Sequence, residues 1–203
     1  MLGALLTNTA LLCLFALQHS GMARPAFKRW WTRRIPKALE RSTYVLFSSL
    51  AMIALFVGWQ PLGGIVWDFS SPVLRWGMIG MCSFGWLLVL ASTFMINHFD
   101  LFGLRQVWLY WRGREYTPLS FRTPSLYRHV RHPLYVGWLC AFWFTPVMTL
   151  SHLIFSLITT AYILVAVRWE ERDLLDAHPE YAQYREEVPM LFPRVQDSLS
   201  PLV

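Results

Sequence analysis

Five polar clusters flank the apolar stretches of this chain: Gln18-His19-Ser20, Glu40-Arg41-Ser42-Thr43-Tyr44, His98 with Asp100, residues 127–137, and residues 168–173. Polar side chains close to membrane depth are costly and usually functional, although ordinary loop flanks are polar too. Arg131-His132-Pro133 has a clear physical reading. Proline at the first helical position sets the turn without losing a useful hydrogen bond. The helix N-terminus then offers free N–H groups and a positive dipole end to an anion. Tyr135 supplies an aromatic wall and a hydroxyl, and Gly137 permits close approach of a ligand or of another helix. The alternative is a plain helix cap with a basic flank. Glu170 and Glu171 continue a long helix. Glu171 shares a face with Leu174, Leu175 and His178, and Glu170 shares the next face with Asp173. A carboxylate there binds a diol or offsets a cation; alternatively it caps a solvated helix end, paired with Arg172 or the basic loops. No metal is expected. His129-x-x-His132 lacks the company of a metal motif, and Cys13, Cys82 and Cys140 sit in apolar stretches with no paired spacing.

The elements that must position these groups follow from composition. Of 203 residues, 55% are hydrophobic and only 15% charged, with 11 Trp and 14 Phe. Soluble domains carry about 25% charged residues. Mean hydropathy is +0.37. Disorder, coiled coil and collagen are excluded, and the expected class is an all-α polytopic integral membrane protein forming one domain over residues 1–203. A span needs about 20 apolar residues. Five segments approach that: residues 2–17, 43–59, 73–96, 133–150 and 152–167. The first has neither a basic start nor a small-residue cleavage site, so it does not read as a signal peptide.

The net charge of +6 is distributed as a topology signal. Seven Lys/Arg and one acid lie between residues 24 and 41, and six Arg and two acids between residues 97 and 131. Residues 60–72 hold no Lys or Arg and only one charged residue, Asp68, and acids exceed bases from Arg168 onward. The positive-inside rule therefore places the N-terminus outside and the C-terminus in the cytoplasm. Basic residues that flank apolar segments argue for membrane topology and against a nucleic-acid-binding face. A very short outer turn near residues 149–152 makes the last two spans a tight hairpin. Gly77, Gly80 and Gly85 in the third span predict close helix packing, or room for a ligand. Leu104, Val107, Trp108 and Trp111 fall at helical spacing, with Arg105 and Arg112 off the stripe, which predicts an interfacial amphipathic helix. Trp59, Trp67, Trp108, Trp111 and Trp138 read as aromatic-belt anchors. From Pro179 a short tail follows, with Pro189 and Pro193 ending helical structure.

Arg131-His132-Pro133-Leu134-Tyr135-Val136-Gly137, then Glu170-Glu171-x-x-Leu174 and Tyr181-x-x-Tyr184, resemble the signature of integral-membrane methyltransferases that act on isoprenylcysteine and phospholipids. The resemblance implies S-adenosylmethionine bound by the half at about 127–187, near the cytosolic surface. Arg131, His132, Tyr135, Gly137, Glu170 and Glu171 are then the cofactor candidates. Leu17-Gln18-His19-Ser20, Glu40 to Tyr44, His98-Phe99-Asp100-Leu101-Phe102-Gly103-Leu104-Arg105-Gln106 and Arg122-Thr123-Pro124 onward are similar to the methanethiol S-methyltransferase family. Together these pieces cover nearly the whole chain. Members of that family often carry more residues.

The implied reaction moves a methyl group from S-adenosylmethionine to methanethiol, giving dimethyl sulfide and S-adenosylhomocysteine. It is an in-line displacement, so positioning supplies much of the rate. The thiolate is the reactive acceptor, which calls for a base or a nearby cation. His19, Tyr44, His98 and His132 are the candidates, with His19 or His98 leading as base and Tyr44 orienting the substrate. Gln18, Glu40 and Arg41 would support, the last two as an ion pair. The expected partners are a small thiol and membrane lipid, the latter in a bacterial inner membrane; the oligomeric state is open. The same superfamily admits isoprenylcysteine or phospholipid acceptors. A haem-binding membrane isomerase, or a denitrification-linked accessory protein, resembles the N-terminal motifs, with histidines as axial ligands. A non-catalytic scaffold is the remaining class.

Overall fold

The computed structural model describes residues 1–119 and 122–193. In chain order the elements are α1 (Leu2–Ala23), α2 (Pro25–Trp31), α3 (Glu40–Gly58), β1 (Ile65–Asp68), α4 (Pro72–Ile96), α5 (His98–Leu101), α6 (Leu104–Trp111), α7 (Pro133–Trp143), β2 (Val147–Thr149), α8 (Leu150–Ala177) and α9 (Tyr181–Glu187). Short 3-10 turns at Lys37–Leu39 and Ser125–Arg128 lead into α3 and towards α7. The protein is an all-α polytopic membrane protein with one two-stranded ribbon.

Four helices, α1, α3, α4 and α8, are long and apolar enough to cross a membrane. At 1.5 Å per residue, 22 residues span about 33 Å, enough for a hydrocarbon core of about 30 Å. Their exposed residues are apolar: Leu6, Leu14, Leu50, Phe56, Trp76, Leu87 and Phe94 all face outward. In water that surface would be untenable; in lipid it is the solvent-facing side.

The fourth expected segment differs. Helix α7 stops at Trp143 after 11 residues, and the chain continues as β2, antiparallel to β1 with Ile65 opposite Thr149 and Asp68 opposite Val147. Pro146 is the cause. It has no N–H to donate, and it biases Thr145 away from helical angles. The exposed backbone groups are met by partners. The Trp67 indole donates to Thr145 O at 3.0 Å, and Ser156 Oγ donates to Phe142 O at 3.0 Å. The expected hairpin turn is thus a strand woven into the 60–72 loop. At the same end, Asn8, fully buried, brackets Gln60: its amide donates to Gln60 O at 2.7 Å and its oxygen accepts Gln60 N–H at 2.8 Å.

The opposite end holds the polar clusters. Helices α1 and α8 run further than the expected spans, to Ala23 and Ala177, so Gln18, His19, Ser20, Glu170 and Glu171 all lie within helices. Arg24 ties the two ends together, 3.3 Å from Asp173 and over the Trp169 ring. Helix α4 ends at Asn97, whose positive φ of 118° redirects the chain into α5. Gly103 is wedged against α3, where a Cβ would lie 2.6 Å from Ser42 N. Ser42 Oγ donates to Gly103 O and Arg41 Nε donates to Leu101 O at 2.7 Å. That corner launches α6, which is amphipathic as expected, with Trp108 and Trp111 exposed and Arg112 over both rings.

Candidate active site

Helices α4 and α7 cross at two glycines. A Cβ on Gly137 would sit 2.7 Å from Gly85 O and 2.9 Å from Val89 N; one on Gly85 would sit 2.7 Å from Gly137 O. The close approach that Gly137 permits is that of a helix, the second of the two options open in the sequence. Gly77 and Gly80 meet nothing within 4 Å, so they take no part in this crossing.

This crossing fixes the start of α7, where Arg131 and His132 turn inward. Arg131 Nε donates to Glu171 Oε1 at 2.7 Å, and His132 Nε2 lies 3.0 Å from the same oxygen. Arg185 Nε is 3.6 Å from Glu171 Oε2, and the buried Tyr181 places its hydroxyl against Glu171. Arg131 also donates to the carbonyls of Arg185 and Val188. The backbone N–H groups of Arg131 and His132 donate to Pro189 O at 2.9 Å and Met190 O at 3.2 Å. The two residues just before the helix are thus held by the chain's own tail. Tyr184 closes the strap by donating to Tyr127 O, and burial pushes its hydroxyl up to about 12, which keeps it a donor. Burial, and then the Glu170 carboxylate, raise Tyr127 as well. The tail beyond Pro193 lies outside the described residues.

Glu170 is placed differently from its neighbour. Its Oε2 accepts the Tyr135 hydroxyl at 2.8 Å, and among the described residues no protein donor reaches its other oxygen. Arg172, the expected partner, makes no ion pair with either glutamate among the described residues.

The second polar group comes from the N-terminal half. The Tyr44 hydroxyl lies 3.0 Å from Nδ1 and 2.9 Å from Nε2 of His19, facing the ring edge between them. Ser48 Oγ is 3.3 Å from Nδ1, Phe15 stacks on the imidazole at 5.3 Å, and Arg41 lies over the Tyr44 ring at 5.0 Å. Gln18 donates to Met22 Sδ at 3.1 Å, while its buried Oε1 meets no hydrogen-bond partner among the described residues. The expected Glu40–Arg41 pair does not form. Successive residues on a helix point about 100° apart, and the Arg41 guanidinium is spent on Leu101 O and the Tyr44 ring.

The two groups lie at the same end of the bundle, on helices tied together by the Arg24–Asp173 pair. The Tyr135 hydroxyl is within electrostatic reach of Tyr44 and Tyr162, and Tyr44 is within reach of Glu170. Tyr162 is a residue that the motifs did not single out; its hydroxyl is 2.8 Å from Ser20 Oγ. A hydroxyl inside an apolar span was the available signal. His98 stands apart. Its ring stacks on Phe94 at 4.4 Å and hydrogen-bonds Thr93 at 3.0 Å, and its other contacts are Phe99 and Phe102.

The fold and the site together define a polytopic helical membrane protein that gathers phenols, an imidazole and a glutamate pair at one end of its long helices. No family model matches the chain and no solved structure matches it. Curated proteins do. It is 58% identical over 191 residues to a methanethiol S-methyltransferase of Crocosphaera subtropica, covering 94% of this chain and 75% of that protein. Against a methanethiol S-methyltransferase of Mycobacterium tuberculosis it is 52% identical over 191 residues, covering 94% and 78%. Nurim of Rattus norvegicus, at 32% over 184 residues and 69% of its own length, is a more distant relative. The chain belongs to the methanethiol S-methyltransferase family.

Proposed function

We propose that this protein transfers a methyl group from S-adenosylmethionine to the sulfur of methanethiol, giving dimethyl sulfide and S-adenosylhomocysteine. The observation that carries the reading is the gathering of two unlike hydrogen-bonded pairs at one end of the bundle. His19–Tyr44 can handle a proton, and Tyr135–Glu170 can hold a cation or a diol.

The donor set fits S-adenosylmethionine. Glu170 Oε1 and Gln18 Oε1, which meet no donor among the described residues, are acceptors that suit a cationic molecule rich in N–H and O–H groups. When bound, S-adenosylmethionine supplies a methyl carbon on a positively charged sulfur. Glu170 would offset that charge or bind the ribose diol, and Tyr135 would orient Glu170. Glu171, Arg131 and His132 act one step back. They lock α7, α8 and the tail strap so that Tyr135 and Glu170 keep their places.

His19 takes the proton of the bound thiol on a ring nitrogen, because the thiolate is the reactive form. Tyr44 holds the imidazole edge, and the Arg41 guanidinium beside it favours negative charge nearby. The thiolate sulfur would then bond to the methyl carbon as the methyl–sulfonium bond breaks, with S-adenosylhomocysteine as the leaving group. The chemical end of the bundle faces the cytoplasm of a bacterial inner membrane in this reading, with the basic segment at residues 24–41 on the same side.

The test is purified protein in lipid nanodiscs with S-adenosylmethionine and methanethiol, assayed by headspace dimethyl sulfide. Product is expected, and His19→Ala should lower turnover at least about 100-fold with cofactor affinity unchanged. Methylation of prenylcysteine or phospholipid in place of methanethiol would overturn the acceptor and keep the class. Unchanged turnover in His19→Ala would remove His19 as the base.

A further inference from the structure

Tyr162 plays no part in the proton route, yet it places a phenol inside the long apolar helix α8. It lies two turns before Glu170, about 12 Å deeper along the axis. It is held at both ends. Its hydroxyl is 2.8 Å from Ser20 Oγ, and its ring meets Phe15 edge-on, with centroids 6.5 Å apart and planes at 71°. Phe15 in turn stacks on His19 at 5.3 Å and 22°. The imidazole is therefore lined by Phe15 behind, Tyr44 at its edge, and Tyr162 braced against Phe15. Phe15, stacked on His19, and Tyr162, braced against Phe15, are the apolar rings beside the imidazole on which a bound thiol's alkyl group would rest.

We propose that Phe15 and Tyr162, the latter pinned by Ser20, form the wall that stops the acceptor's alkyl group and restricts the site to a one-carbon thiol. This rests on the thiol-methylation reading above. A ring with a free hydroxyl could swing aside for a longer chain. Tyr162 can do so only by breaking its bond to Ser20 and its contact with Phe15. One extra methylene against a filled apolar pocket changes kcat/KM by roughly 10–200-fold. A merely structural Ser20–Tyr162 link between α1 and α8 would alter stability and leave the ratio between two thiols unchanged.

The experiment uses the full chain in nanodiscs with S-adenosylmethionine and either methanethiol, ethanethiol or 1-propanethiol, reading kcat/KM for each. The wild-type protein is expected to lose at least about 10-fold per added methylene. Tyr162→Ala and Phe15→Ala should each shrink the methanethiol-to-propanethiol ratio at least about 10-fold. Phe15→Leu, a milder change, should shrink it in the same direction and keeps the question open to refutation if an alanine variant fails to fold. An unchanged ratio in the folded variants would overturn the proposal. So would a wild-type protein that methylates 1-propanethiol as well as methanethiol, with the acceptor class left intact. A wild-type protein that methylates no thiol would overturn the acceptor reading itself.

Discussion

Glu170 and Glu171 are adjacent, chemically identical, and set in different surroundings, so the same isosteric change should have different consequences. In Glu171→Gln the buried guanidinium of Arg131 loses its counter-charge; the two side chains are only 9% and 8% exposed. Removing one member of a buried pair costs about 3–5 kcal/mol. The amide retains an acceptor for one bond, but its NH2 then meets the donors of His132 or Arg185. For a chain of this size that cost lowers Tm by roughly 6–20 °C. In Glu170→Gln the Tyr135 hydroxyl keeps an oxygen to bond, and the difference between a charged and a neutral acceptor is about 1 kcal/mol. The corresponding fall is roughly 2–4 °C. The assay is thermal unfolding in nanodiscs beside calorimetric titration with S-adenosylmethionine. Glu170→Gln should lose cofactor affinity with its fold nearly intact, whereas Glu171→Gln should lose the fold first. Equal, small shifts in Tm for both variants would refute the division of labour between the two carboxylates.

Other consequences are equally direct. Gly137→Ala forces a Cβ onto Gly85 O and Val89 N, so α4 and α7 must separate; the cost should be about 1–3 kcal/mol in unfolding experiments, while Gly80→Ala, with open space around it, should be silent. Asn8→Leu strands both backbone groups of Gln60 and should destabilise by about 1–3 kcal/mol per unsatisfied group, a loss visible in the melting curve with thiol kinetics little changed. For topology, a fluorescent-protein fusion after residue 203 should glow in bacterial cells, and an alkaline phosphatase fusion there should be inactive; the opposite result would invert the assignment of the cytoplasmic face.

Much of this was legible from the chain alone, for identifiable reasons. Long apolar runs mark α1, α3, α4 and α8 because a span has to satisfy its own backbone. Proline at position 133 marks the start of α7. The end of α7 was harder: residues 133–150 are apolar throughout, and a buried helix and a buried strand look alike in such a run. Pro146 carried the distinction. Pairwise facts were not legible. Gly137 announces that something comes close, but only the fold shows that it is Gly85. Glu170 and Glu171 announce a candidate site, but nothing local says that one is consumed by Arg131 and His132 while the other accepts from Tyr135. Pro189 marks the end of helical structure, yet its carbonyl bonding back to Arg131 is a contact across 58 positions, beyond any local pattern. Tyr162 was readable as a polar residue in a span and lacked only the neighbours that give it meaning.

The strap has a further consequence in time. Arg131 must wait for Glu171, 40 residues on, and for Pro189. At about 5–20 residues per second the second wait lasts roughly 3–12 s. Until Glu171 emerges, its guanidinium is an unpaired positive charge beside a newly made apolar helix, the kind of charge that resists translocation. On the proposed topology the same side chain would serve twice during biosynthesis, first as a signal to the insertion machinery and then, once residues 188–190 emerge, as the peg on which the tail is hung. A nascent chain released before that point would hold every candidate catalytic side chain and still have no assembled site.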